Sequence, residues 1–327
     1  MLGDVDTACR MATAARDAGA WGFKVQLLDP VKIATADAPI YWRDVRSDVT
    51  TQRDSFERAG SVDYARWVDV KKHCDDIGIE FLATPFDLEA VDVLADIDCE
   101  WVKVASGDIT FTPLLDRIRT TRMHVMLSTG ASSTLDVATA LDHLDGCRVV
   151  LLACSLAYPT PQEHAQLGRI ETLRRMFPNR EIGYSDHTIG ARAAFGAALL
   201  GATWIEKHFT TTPGDESVPD NMMAASPAVL AEYVREAARG AEMRGDGLMG
   251  ATPVEHAARL GARRKAVTSR SLQAGRRLLV DDVEFKRTGT VGLDPAAALR
   301  LVGRTLTRDL PAGALLLGTD VHVDAVG

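Results

Sequence analysis

The sequence predicts a (β/α)8 barrel, with its first strand missing from the chain, followed by a small β-rich domain. Over the first 250 residues, short apolar runs alternate with amphipathic helical segments, and this many one-strand units favour a closed barrel over an open sheet. Beyond Gly250 the alternation gives way to short β-type runs punctuated by glycine, proline and aspartate. We therefore expect a barrel over residues 1–250, a linker over 251–266 and a C-terminal domain over 267–327.

Seven apolar runs are predicted to be the barrel strands: "WGFKVQ", "EFLATPF", "EWVKVASGD", "HVMLSTG", "RVVLLAC", "EIGYSDH" and "TWIEKHF". Helical patterns follow six of these runs, near 87–96, 113–118, 134–144, 167–176, 191–200 and 227–243; with the first helix of the chain they give seven located helices, and we expect eight in all. The first recognisable element is a helix that ends at Gly19, not a strand. The eighth strand would therefore lie upstream of Met1, and we expect either a truncated chain or another segment in its place.

Composition excludes several classes of function. The net charge of -8 offers no basic field for nucleic acid, and no apolar run is long enough to cross a bilayer. The five cysteines are scattered, odd in number and without a CxxC pair, which argues against a disulfide framework and against a zinc knuckle. The N-terminus has no charged leader followed by an apolar segment, so we expect a cytoplasmic protein.

Polar side chains cluster where the predicted strands end. In a parallel barrel these ends face one mouth, so residues distant in sequence converge there. The residues expected at the mouth are Lys24, Gln26, Thr84, Phe86, Lys103, Ser106, Asp108, Ser128, Thr129, Tyr158, Ser185, Asp186, His187, Glu206, Lys207 and His208.

Two histidines and two lysines in this set indicate chemistry. His187 and His208 end the last two strands, and because adjacent strands lie about 4.8 Å apart, both imidazoles could reach one divalent ion. The alternative is that each is a hydrogen-bonded histidine that caps its strand. Lys24 and Lys103 lie in otherwise apolar strands, where a charge is costly unless it is paired, reaches the rim or faces an anion. With serines and helix starts nearby, a bound phosphate or carboxylate is the better interpretation.

At these residues the chain resembles the sialic acid synthases, which condense phosphoenolpyruvate with the open-chain aldehyde form of an N-acylated amino sugar. The matching segments run in order through nearly the whole chain, and "SGD", "SDHT" and "EKHFT" together are specific. They are "GDVDTACRMATAARDAGAWGFKVQ", "GIEFLATPFDLEAVDVL", "VKVASGDITFTPLL", "MLSTG", "YPTP", "GYSDHTIG", "GATWIEKHFT", "VPDNMMAAS", "TSRSL" and "FKRTG".

The resemblance implies roles for individual residues. His187 and His208 would hold a divalent metal, manganese or magnesium, and together with Lys103 would be the catalytic residues. Phosphoenolpyruvate would bind at Lys24, Lys103, Ser106, Ser128 and Ser185. The sugar would face Gln26, Thr84, Phe86, Asp108, Tyr158 and Asp220. The C-terminal part resembles the antifreeze-like (SAF) domain of the family, which implies a domain-swapped homodimer in which Arg287 reaches the partner's sugar.

The resemblance also implies a mechanism. C3 of phosphoenolpyruvate attacks an aldehyde polarised by the metal, water adds at the oxocarbenium-like C2, and phosphate leaves by carbon–oxygen cleavage. Sialic, legionaminic and pseudaminic acids are all open as products.

Two departures from the family keep other interpretations open. Relatives begin with a strand that carries a glutamate without counterpart here, and they place serine or asparagine where this chain has Leu156. A metal-dependent aldolase on the same barrel and a non-catalytic homologue therefore remain as alternatives.

Overall fold

The computed structural model describes residues 4–42, 46, 48–60, 63–215 and 218–322. The chain divides into two compact units, Met1–Asp246 and Gly247–Gly327. Each unit is described by itself.

Seven parallel strands form the sheet of the first unit, in the order in which they occur along the chain. All seven coincide with the predicted runs, and with the helices around them they form a curled α/β barrel-like fold, which confirms the predicted fold class. Among the described residues β1 pairs only with β2 and β7 only with β6, so the sheet is open between β1 and β7. The strands are β1 Gly22–Leu27, β2 Glu80–Pro85, β3 Trp101–Val104, β4 His124–Ser128, β5 Val149–Cys154, β6 Glu181–Asp186 and β7 Trp204–Lys207.

Ten α-helices accompany these strands in the described part of the first unit, rather than the eight expected in all. Three of them lie between β1 and β2, where the sequence analysis located no helix. The helices are α1 Val5–Asp17, α2 Pro30–Ile33, α3 Gln52–Ala59, α4 Trp67–Ile77, α5 Leu88–Asp96, α6 Thr112–Arg119, α7 Thr134–His143, α8 Gly168–Met176, α9 Arg192–Leu199 and α10 Pro227–Arg244. Helix α10 is the longest of these and lies against α9, where Gly240 is needed because a Cβ atom there would stand 2.3 Å from the carbonyl oxygen of Phe195.

The interior of the curled sheet is filled by side chains at its amino-terminal end. Three tryptophans pack together there, with the Trp21 ring centroid 4.9 Å from that of Trp204 and 6.0 Å from that of Trp101. Leu82, Met126, Val150 and Leu152 continue this inner cluster, which also contains Trp101 and Trp204. Because this end is packed, open space inside the sheet lies toward the opposite, carboxyl-terminal end.

The second unit is built on an internal repeat that the sequence analysis missed. The pattern Arg-x-Leu-x-Ala-Gly-x-x-Leu-Leu-x-x-Asp-Val occurs at 270–283 and again at 308–321. The two copies meet at Leu272 and Leu310, each of which donates its backbone N–H to the other's carbonyl oxygen at 2.8 Å. In each copy a buried aspartate, Asp282 or Asp320, accepts hydrogen bonds from the arginine that opens the motif and from a backbone amide. The elements of this unit are α11 His256–Ala262, β8 Arg264–Thr268, β9 Val283–Arg287 and α12 Pro295–Leu299, with β8 and β9 antiparallel.

Among the described helices, none combines the length and the apolar character that a membrane span requires.

Candidate active site

A cavity of about 1080 Å³ opens at the carboxyl-terminal ends of the strands. It also extends into the gap between β1 and β7, where α1 and α10 supply lining residues. Eleven of the thirteen site residues predicted in the first unit line it: Lys24, Gln26, Thr84, Phe86, Lys103, Ser106, Asp108, Tyr158, His187, His208 and Asp220.

The two histidines come together, as the barrel argument requires. The ring centroids of His187 and His208 are 5.3 Å apart, and the Tyr158 ring lies 4.3 Å from the first and 6.4 Å from the second. Nδ1 of His187 lies 2.9 Å from the carbonyl oxygen of Ser155, a geometry in which Nδ1–H donates and Nε2 keeps its lone pair. Nδ1 of His208 lies 3.4 Å from a carboxylate oxygen of Asp220, which orients that ring in the same sense.

Burial and mutual proximity keep these imidazoles neutral. Burial, aided by the neighbouring His208, lowers the pKa of His187 to about 3. Burial also lowers the pKa of His208, against the opposing effect of Asp220. Neutral imidazole is the form that binds a metal, so the pair is ready as ligands at neutral pH.

The two lysines share one carboxylate. Oε1 of Glu206 lies 3.4 Å from Nζ of Lys24, and its Oε2 lies 3.1 Å from Nζ of Lys103. Burial alone would raise the pKa of Glu206, but the two ammonium groups lower it well below its usual range. Burial lowers the pKa of Lys24, and Glu206 offsets part of that shift. Two cations thus face a single anion, which leaves positive charge for a bound anion.

Three buried oxygens of the barrel strands make no hydrogen bond of good geometry within the described residues. They are Oγ of Ser128, Oγ of Ser185 and Oε2 of Glu206. Ser185 is close enough to Glu206 to help lower the pKa of that carboxyl, although the two are not well aligned. Buried polar atoms are normally paired, so unpartnered hydroxyls on the barrel strands fit an anionic ligand.

Ser106 is held differently. Its Oγ accepts a hydrogen bond from the backbone N–H of Gly130 at 3.0 Å. A Cβ atom at Gly130 would stand 2.8 Å from that Oγ and 3.2 Å from the backbone nitrogen of Leu156, so only glycine fits this approach. The residues of "SGD" and "STG" therefore lock together beside the lysines.

The residues expected to face the sugar surround the same cavity. Thr84 is buried and accepts a 3.3 Å hydrogen bond from Nζ of Lys24, whereas Gln26 is exposed. Burial raises the pKa of Asp108 to about 6, and burial also raises the pKa of Tyr158. These residues line the cavity, and their contacts with a sugar stay a prediction.

Of the residues expected at the mouth, Ser128, Thr129, Ser185 and Asp186 do not line the cavity, whereas Lys207 does. Asp186 and Lys207 are adjacent in the β6–β7 register and pair at 3.0 Å beneath α10, with side chains 0% and 2% exposed. Successive side chains of a strand point to opposite faces, so Asp186 and Lys207 point away from the face of the sheet that carries Ser185 and Glu206. Thr129 donates to the carbonyl oxygen of Leu152 at 3.0 Å and is thereby occupied in the wall.

Aromatic residues of the β1–β2 connection form a part of the cavity wall that sequence reasoning missed. The Tyr41 ring lies 6.4 Å from that of Tyr158 and 4.9 Å from that of Trp42, whose indole N–H is buried without a partner in the described chain. Consecutive aromatics in a polar connection were the available signal. Leu156, noted as a departure, also lines the cavity and supplies no side-chain donor there.

Arg287 lies in the second unit, at the end of β9, and its side chain is exposed. Its expected contact with a partner's sugar stays a prediction.

The two imidazoles fit a metal as part of an open coordination site. The described residues contain no group of three or more His, Cys, Asp or Glu side chains placed to hold an ion. Two oriented, neutral imidazoles leave the other coordination positions to water or substrate, as a catalytic cation requires.

Known proteins are similar to this chain over nearly its whole length. The model of the NeuB family matches residues 11–249, and that of the SAF domain matches residues 263–322. An uncharacterized protein of Methanocaldococcus jannaschii is 34% identical over 98% of this chain and 92% of its own length. The N,N'-diacetyllegionaminic acid synthase of Legionella pneumophila is 28% identical over 99% of this chain and 92% of its own.

A solved structure extends the agreement to the fold. The spore coat polysaccharide biosynthesis protein E of Chromobacterium violaceum superimposes with a TM-score of 0.82 at 28% identity, covering 98% of this chain and 96% of that one. These matches confirm the resemblance found in the sequence, and the chain belongs to the NeuB family, with a C-terminal SAF domain.

Proposed function

We propose that this protein condenses phosphoenolpyruvate with an open-chain N-acylated amino sugar of the N-acetylmannosamine type, giving a nonulosonic acid and inorganic phosphate. The main support is the placement of two buried ammonium groups, Lys24 and Lys103, in the same cavity as two oriented imidazoles, His187 and His208. The legionaminic acid synthase among its relatives has an activity of this class by name.

In this proposal the lysines bind the anionic substrate. Phosphoenolpyruvate carries a carboxylate and a phosphate, and Lys24 and Lys103 supply the opposing charge in a site of low dielectric, where such contacts are strong. The unpartnered hydroxyls of Ser128 and Ser185 donate to its oxygens. Glu206 neutralises one ammonium until the substrate arrives.

His187 and His208 would hold a divalent cation, manganese or magnesium. When bound, the cation would act as a Lewis acid on the aldehyde oxygen of the sugar. The chain itself fixes the orientation of both rings through Ser155 and Asp220. The Tyr158 ring, with its centroid 4.3 Å from that of His187 and 6.4 Å from that of His208, limits the space available to water.

The reaction balances without a covalent enzyme intermediate. C3 of phosphoenolpyruvate forms a bond to the aldehyde carbon, and the aldehyde oxygen takes up a proton to become a hydroxyl. Water adds at C2. The bond between C2 and the oxygen that carries the phosphoryl group then breaks, which releases phosphate. Lys24 and Lys103 balance the phosphate charge throughout.

We also propose that the protein is a homodimer in which the second unit of one chain completes the site of its partner. The charge distribution supports this. Residues 247–327 contain 12 Lys and Arg against 8 Asp and Glu, whereas residues 1–246 contain 25 against 37. A basic unit and an acidic unit attract each other across two chains, and Arg287 is the residue expected to reach the partner's sugar.

Phosphate release tests the proposed function. We expect release from phosphoenolpyruvate only when Mn²⁺ and an N-acylated amino sugar are both present, and loss of release in the Arg287→Ala variant if the partner's site is completed in the dimer. Lack of phosphate release with every sugar tested, from folded protein that binds Mn²⁺, would refute the synthase assignment. Consumption of pyruvate with sugar instead would assign an aldolase.

A further inference from the structure

A second charged cluster lies at the ends of β6 and β7, on the face of the sheet opposite Glu206, although Lys207 and Tyr233 also line the cavity. Asp186 and Lys207 are register neighbours, and Oδ2 of Asp186 accepts hydrogen bonds from Nζ of Lys207 and from the hydroxyl of Tyr233, both at 3.0 Å. Asp186 and Tyr233 are buried, and so is the side chain of Lys207. We refer to these three residues as the Asp186–Lys207–Tyr233 cluster.

The cluster also forms hydrogen bonds with the backbone next to His187. Oδ1 of Asp186 accepts a hydrogen bond from the backbone N–H of Thr188 at 2.8 Å, and the ammonium of Lys207 donates to the carbonyl oxygen of Thr188. The residues before and after His187 are therefore held by the cluster. His208 directly follows Lys207, so the same ion pair precedes both imidazoles by one residue.

The surroundings of the cluster are apolar. Ala191, Ala194, Ile205 and Ala237 pack with Tyr233 in one hydrophobic group. In such a place a well-packed apolar pair of similar volume is commonly as stable as an ion pair, or more stable. Stability alone therefore does not account for a charged cluster here, whereas directional hydrogen bonds fix a backbone geometry that apolar contacts leave free.

We propose that the Asp186–Lys207–Tyr233 cluster positions the two imidazoles for metal binding. It fixes the backbone ends of β6 and β7 and so keeps the rings of His187 and His208 with their centroids 5.3 Å apart. These are positioning residues, since their polar groups are hydrogen-bonded to one another and to the backbone next to His187, and they act through the histidines. The inference rests on metal ligation by the two imidazoles in the proposed function.

The test replaces the ion pair by apolar residues of similar size. In the Asp186→Leu/Lys207→Met double variant we expect the urea midpoint, followed by tryptophan fluorescence, to equal or exceed that of the wild type. The Mn²⁺ dissociation constant, measured from the signal of free Mn²⁺ in electron paramagnetic resonance, should rise at least tenfold. A folded double variant that binds Mn²⁺ within twofold of wild type would overturn the proposal.

A milder pair of variants keeps the test decisive if the double variant fails to fold. Tyr233→Phe removes one hydrogen bond to Asp186 and should weaken Mn²⁺ binding about threefold to fivefold. Tyr184→Phe is the matched control, since the buried Tyr184 hydroxyl on β6 donates to the carbonyl oxygen of Ala165 at 3.0 Å, away from the cluster. Equal effects of the two variants on Mn²⁺ affinity would reduce the cluster to a structural role and overturn the proposal.

The same titrations separate this inference from the proposed function. If the wild-type protein does not bind Mn²⁺, the role of the metal in the proposed function is wrong, and this inference is wrong with it. Wild-type protein that binds Mn²⁺ and loses it on His187→Ala, but not in the cluster variants, would contradict the positioning role alone.

Discussion

Strand β7 contributes Glu206 and Lys207 to two lysine–carboxylate clusters on opposite faces of the sheet, and the clusters differ in how completely their polar atoms are paired. On the inner face, Glu206 stands between Lys24 and Lys103 and keeps one oxygen without a well-aligned donor. On the outer face, Asp186 accepts three hydrogen bonds, two of which come from Lys207 and a backbone amide.

The difference distinguishes charged groups that are available to bind a ligand from charged groups that hold the backbone. An unpaired buried oxygen and an excess of cations are costly in the empty site, so they fit a cavity whose hydrogen bonds are completed by a bound anion. A cluster whose carboxylate and ammonium are hydrogen-bonded to each other and to the backbone fits a role in holding that backbone. A substitution of lysine by methionine should therefore mainly lower catalytic activity on the inner face and mainly lower stability on the outer face.

The largest expected effect is the loss of catalysis on the inner face. Lys103→Met should lower kcat/KM for phosphoenolpyruvate about a thousandfold, since one charge-stabilising group in such a site contributes about 3–4 kcal/mol. The rate of phosphate release measures kcat/KM. Lys71→Met, which removes a lysine paired with Asp75 at 2.7 Å on α4, is the control and should leave kcat/KM unchanged. An effect below tenfold for Lys103→Met would contradict the inner-face assignment.

On the outer face the same change should act on stability. Lys207→Met leaves Asp186 buried without its cation, so the free energy of unfolding should fall by about 3 kcal/mol. Urea unfolding followed by tryptophan fluorescence reports on the first unit alone, because all five tryptophans lie there. Lys103→Met, which leaves Glu206 paired with Lys24, should cost far less by this measure. Equal losses for the two variants would remove the distinction between the faces.

The buried carboxyl of Asp108 allows the inner face to be probed by pH. Burial raises its pKa to about 6, above the usual value, so its protonated form stabilises the fold at low pH and this contribution is lost as pH rises through 6. Asp108→Asn should thus be more stable than wild type by about 2 kcal/mol at pH 8 and no more stable at pH 4. Urea titrations at both values check this. A stability difference between Asp108→Asn and the wild type that does not change with pH would contradict the raised pKa of Asp108.

The smallest expected effect comes from a single hydroxyl. Ser128 is buried without a hydrogen bond in the described chain, so Ser128→Ala should leave the free energy of unfolding unchanged or raise it by up to about 1 kcal/mol. The KM for phosphoenolpyruvate should rise about tenfold because a donor to the substrate is lost. Tyr184→Phe is the counterpart with a paired hydroxyl and should lose about 1 kcal/mol with KM unchanged. A KM that Ser128→Ala leaves unaltered would place the anion elsewhere.

Sequence reasoning located the strands and most of the cavity because both depend on local pattern. Apolar runs of strand length fixed the seven strands, and the shared direction of parallel strands brought Lys24, Lys103, His187 and His208 together. It did not separate the two faces at the strand ends. Asp186 and Lys207 were expected at the mouth, because where a run ends does not reveal which of two consecutive side chains points inward.

Other features were missed for different physical reasons. The helices between β1 and β2 broke the rule of one helix per strand, so α3 and α4 had no place in the predicted pattern. The aromatic wall at Tyr41 and Trp42 depends on how that long connection folds back over the cavity, which periodicity does not encode. The repeat around Asp282 and Asp320 could have been found by comparing the chain with itself.

A crystal structure of the protein with Mn²⁺ and phosphoenolpyruvate tests the central claim most directly. The account predicts the cation bound to His187 and His208, the phosphate and carboxylate groups against Lys24 and Lys103, and no ligand at Asp186 and Lys207. A cation bound away from both imidazoles, or an anion that touches neither inner lysine, would contradict it.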